Sequence, residues 1–78
     1  MINFDTLKKS YISTIQIGIA GSADYNSIKN GNDICHKFCE IVVDNSGCPE
    51  PDKKTMKDEL GVLKESLSKE IECNYSLR

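Results

Sequence analysis

Two prolines one residue apart, in Cys48-Pro49-Glu50-Pro51, set the strongest limit on what this chain builds. Proline lacks an amide donor and steers the preceding residue away from helical backbone, so no helix interior continues through that step. Each arm must therefore form its own elements and pack them across the break. Both arms carry apolar residues at helical spacing.

In the first arm, Phe4, Leu7, Tyr11, Ile12, Ile15 and Ile19 fall in one stripe at about 100° per residue. Asn3 suits the N-cap, and Gly21 suits a left-handed closing position. Ile15, Ile17 and Ile19 also alternate as strand residues do, but that pattern is short, and the helical stripe covers four turns. A helix over 4–20 is predicted. Tyr25 and Ile28 support a short helical segment within 22–30 under a Ser22 cap, interrupted by Asn30-Gly31-Asn32. Asn32 or Asp33 then caps a second long helix over about 33–45, stopped by Gly47. Its expected core face is Ile34, Cys35, Phe38, Ile41 and Val42.

In the second arm, Pro51 fits the opening turn of a helix over about 52–75. Met56, Leu60, Leu63, Leu67 and Ile71 form its seam, and Gly61 marks a close helix contact or a bend. The fold class is all-α: one domain over 1–78, a small helical bundle of three long helices plus one short helical segment.

Composition excludes several functions. Ile, Leu, Val and Phe make up 19 of 78 residues, above the share at which chains tend to stay disordered. The net charge of −2 argues against a dedicated nucleic-acid binder, whose affinity comes from a basic surface. No apolar run approaches the roughly 18 residues of a membrane helix. The first residues lack the basic-then-apolar order of a secretory signal, so a cytoplasmic location is expected.

Cys35, Cys39, Cys48 and Cys73 are spaced C-x3-C-x8-C-x24-C. The set lacks the CxxC knuckle of a structural zinc site, and disulfides rarely persist in a reducing compartment. Cys35 is expected inside, Cys39 at the border of the core, and Cys73 exposed. No metal or other cofactor is expected. A cysteine-dependent structural metal or redox module is the alternative reading. His36 is the only histidine, and a neighbouring helical cysteine diverges from it by about 100°, too far for a nucleophile–base pair. The chain has no phosphate loop, HExxH or GxSxG, and a bundle this small has little room for a pocket. It is read as a non-enzyme.

Surfaces remain. Asp33, Glu40 and Asp44 align on the second long helix with Lys37 among them, flanked by His36 and Val43. With Val43 placed outside the core, these five residues, Asp33, His36, Glu40, Val43 and Asp44, are the expected partner-binding face. The expected ligand is one protein with a basic site, neither nucleic acid nor membrane. By size and class, such a chain compares with stoichiometric inhibitors, immunity proteins and adaptors. Self-association into a homodimer, through the exposed end of the last helix or Val62, is a further expectation.

Overall fold

The computed structural model describes residues 3–76 and shows three helices, α1 (Phe4–Ala20), α2 (Tyr25–Asp44) and α3 (Glu50–Ser76), with no strand among the described residues. They form an elongated bundle of 44 × 17 × 17 Å. α2 and α3 share the most extensive contact, and α1 leans mainly on α2.

α1 starts where the sequence indicates: the Asn3 side chain accepts the Thr6 amide at 3.1 Å. Its end differs. Gly21 has an ordinary φ of −80°, and the left-handed residue is Ser22, at φ 58°. The Ser22 amide donates to Ile19 O and the Ala23 amide to Gly18 O, which is the paired bonding of a Schellman closure with serine at the position glycine usually holds. Gly18 serves packing instead. A Cβ there would lie 2.4 Å from Ile28 Cδ1, so the missing side chain lets Ile28 rest against α1.

The short segment and the second long helix are one element. Asp24, not Ser22, caps it by accepting the Ser27 amide, and α2 continues through Asn30-Gly31-Asn32. A helical glycine costs about 1 kcal/mol relative to alanine. Burial of Ile28 and Asn32 on either side of Gly31 offsets that cost. α3 likewise begins earlier than expected, at Glu50, with Pro51 in a first turn where its missing amide forfeits nothing.

The core consists of Tyr11, Ile15, Ile28, Cys39, Val43, Leu60, Leu67 and Ile71. Phe4, Leu7, Ile12, Ile19, Met56 and Leu63 pack around it, as the α1 and α3 stripes predict. One polar residue sits among them. Asn32, 2% exposed, receives the Tyr11 hydroxyl proton on its side-chain and backbone oxygens and donates from Nδ2 to Lys64 O and Ser68 Oγ. It links all three helices. At the other end, the Tyr75 hydroxyl donates to Ala23 O and its ring lies 5.7 Å from that of Tyr25. The C-terminal part of α3 is thereby held under the α1–α2 turn rather than left projecting.

Candidate functional site

The acidic stripe expected to bind a partner lies along the seam between α2 and α3. Asp33 pairs with Lys64 at 3.1 Å, and Asp44 pairs with Lys57. The hydrogen bond that the Lys57 ammonium donates to Asp44 holds that ammonium above its ordinary pKa. Glu40 Oε1 is 3.5 Å from His36 Nδ1. The His36 side chain is mostly buried, and its Nε2 has no hydrogen-bond partner among the described residues. Val43 departs furthest from expectation. It is fully buried, so its methyl groups are core and not surface. The five residues thus lie near one another, but two of the acids already bind lysines of the same chain and the apolar member faces inward.

One rotation explains these differences. The inward residues of α2 are Ile28, Asn32, Cys35, Cys39 and Val43, while Ile34, Phe38 and Ile41 point out. The core face expected over 34, 38 and 41 is displaced by one residue, about 100° around the helix. The thiols follow. Cys39 is buried and Cys35 half-buried, the reverse of the expected order, and burial raises both thiol pKa values. Cys73 is exposed.

The rotation leaves a large apolar face without a cover. Ile34, Phe38 and Ile41 are 66%, 61% and 58% exposed, three consecutive members of one helical stripe. Beside them runs a groove of about 200 Å³ between α1 and α2, lined by Leu7, Tyr11, Thr14, Ile34, Cys35 and Phe38. Single exposed apolar residues need no explanation, but a contiguous set does.

A second, wider cleft of about 690 Å³ opens between α1 and α3, contrary to the expectation that the bundle has little room for one. Ile12, Val62 and Leu63 line it, with Lys8 and Lys9 facing Asp58 and Glu59. Lys8 pairs loosely with Asp5 at 3.7 Å and Glu59 at 4.0 Å. No histidine or cysteine lines this cleft. Among the described residues, no group of three or more His, Cys, Asp or Glu is arranged to hold a metal ion, and no helix is long and apolar enough to cross a membrane.

Compared with known proteins, the chain matches no family model, no curated protein and no solved structure.

Proposed function

We propose that this protein is a non-enzymatic interaction module with a docking surface for one protein chain on the outer face of α2. The exposed stripe of Ile34, Phe38 and Ile41 carries the reading. Leaving three large apolar side chains in water is unfavourable, at roughly 25 cal/mol per Å² of apolar surface that a partner would otherwise cover. A stripe at this spacing beside a shallow groove matches an apolar, helix-shaped ligand. Asp33, Glu40 and Lys37 border the stripe, where charges act on encounter more than on affinity. Four free thiols suit a reducing compartment such as the cytoplasm.

A photo-crosslinking amino acid at position 38, in the native host, tests the reading. Discrete protein adducts are expected there and not at Lys69, an exposed position on α3. Equal yields at both positions, or none at 38, would remove the α2 face as the docking surface.

A further inference from the structure

Resting on the reading that the outer face of α2 is a docking surface, we propose that its occupant is a second copy of this chain, packed antiparallel along α2.

The first ground is spacing. Ser27, Gly31, Ile34, Phe38, Ile41 and Asn45 follow one another at alternating steps of four and three, the seam pattern of paired helices. Gly31 is half-buried, and the other five are exposed. A seam of this kind is filled by a facing helix.

The second ground is self-complementarity. The spacing is the same in either chain direction, so a two-fold axis between Ile34 and Phe38 sets every member against another. Ile34 then faces Phe38 of the copy, Gly31 faces Ile41, and Ser27 faces Asn45. Apolar side chains meet in the middle, the bulky Ile41 meets the residue with no side chain, and the polar residues meet at the ends. A Cβ at Gly31 touches nothing within 4 Å in the single chain, so that space is open to a neighbour. The same two-fold sets Phe38 of each copy level with Ile34 and Cys35 of the other, over the α1–α2 groove. At about 200 Å³ the groove is large enough for an aromatic ring; cavities of about 150 Å³ accept benzene. Ring and receptacle on one face make an isologous contact, which closes at two copies.

Sedimentation equilibrium of the full chain is the test, with a photo-crosslinking residue at position 27 to read the register. A reversible dimer is expected, with Phe38→Asp weakening it roughly 30-fold or more, as for a hot-spot residue. Ile41→Lys serves as a second probe, and circular dichroism shows whether each variant keeps its helices. The cross-link from position 27 should map to the tryptic peptide containing Asn45. A monomer at every concentration overturns the second copy as occupant, and a link from 27 to its own peptide overturns the antiparallel register. Neither outcome touches the wider docking reading, which fails if position 38 captures nothing in the host or no more than position 69 does. Adducts there with a different chain would keep that reading and overturn this one.

Discussion

At the scale of single residues, Asn32 governs the most. Its four hydrogen bonds join Tyr11 on α1 to Lys64 and Ser68 on α3 inside an otherwise apolar core. A buried polar group that loses its partner keeps its desolvation cost. Asn32→Ala should therefore cost about 2–4 kcal/mol, the range for breaking a buried network, and Tyr11→Phe about 1–2 kcal/mol. Urea unfolding of both variants and of the double variant measures the coupling; additive losses would mean the bond contributes nothing. The Tyr11 phenol is also pushed well above its ordinary pKa, first by burial and then by Cys35, Cys39 and Asp33. A raised phenol stabilises the fold below the unfolded-state pKa of about 10 and ceases to do so as pH rises beyond it. Alkaline unfolding should begin near that pH, and Tyr11→Phe should flatten the slope in a circular-dichroism titration. Thiol labelling should modify Cys73 fastest and Cys39 slowest, since Cys39 is buried and its thiolate is disfavoured.

At the scale of elements, α1 and α3 were legible because their large apolar residues, Ile17 and Val62 excepted, occupy a single arc. α2 was not, because it has two. The stronger arc by hydrophobicity, Ile34, Phe38 and Ile41, faces out, and the weaker one, with Asn32, Cys35 and Cys39, faces in. The signal that favours the weaker arc was present elsewhere in the chain. Tyr11 lies in the middle of the α1 stripe, and a buried tyrosine hydroxyl needs a partner, which Asn32 supplies. The same inward turn buries Val43 and brings Asp33 and Asp44 to the lysines of α3. Two substitutions test how the elements are closed. Ser22 holds a left-handed φ that disfavours a side chain, so Ser22→Gly should raise stability by up to about 1 kcal/mol. Gly61 is not a close contact, since a Cβ there meets nothing within 4 Å. Gly61→Ala should stabilise α3 by about 0.5–1 kcal/mol. Thermal melts of both check this, and a loss at Gly61 would mean that α3 needs its flexibility.

At the scale of the whole molecule, three helices of unequal length cannot cover one another. α3 spans about 40 Å at 1.5 Å per residue and α1 only about 25 Å. α2 completes its contact with α3 by turning its weaker apolar arc inward, and the stronger arc is left in solvent. A chain of this size buries only about 60% of its unfolded surface, so its own core gives it little stability and a covering partner adds to it. The account therefore depends on the rotation of α2. Thermal melts of Val43→Asp and Phe38→Asp, at a concentration low enough to keep any dimer apart, test that rotation directly. Val43→Asp buries a carboxylate in the core and should cost about 3 kcal/mol or more, enough to unfold a domain this small. Phe38→Asp should leave the melting temperature within the range of a surface change, about ±0.5 kcal/mol. The opposite result, an unfolded Phe38→Asp and an unperturbed Val43→Asp, would return Phe38 to the core and contradict the account.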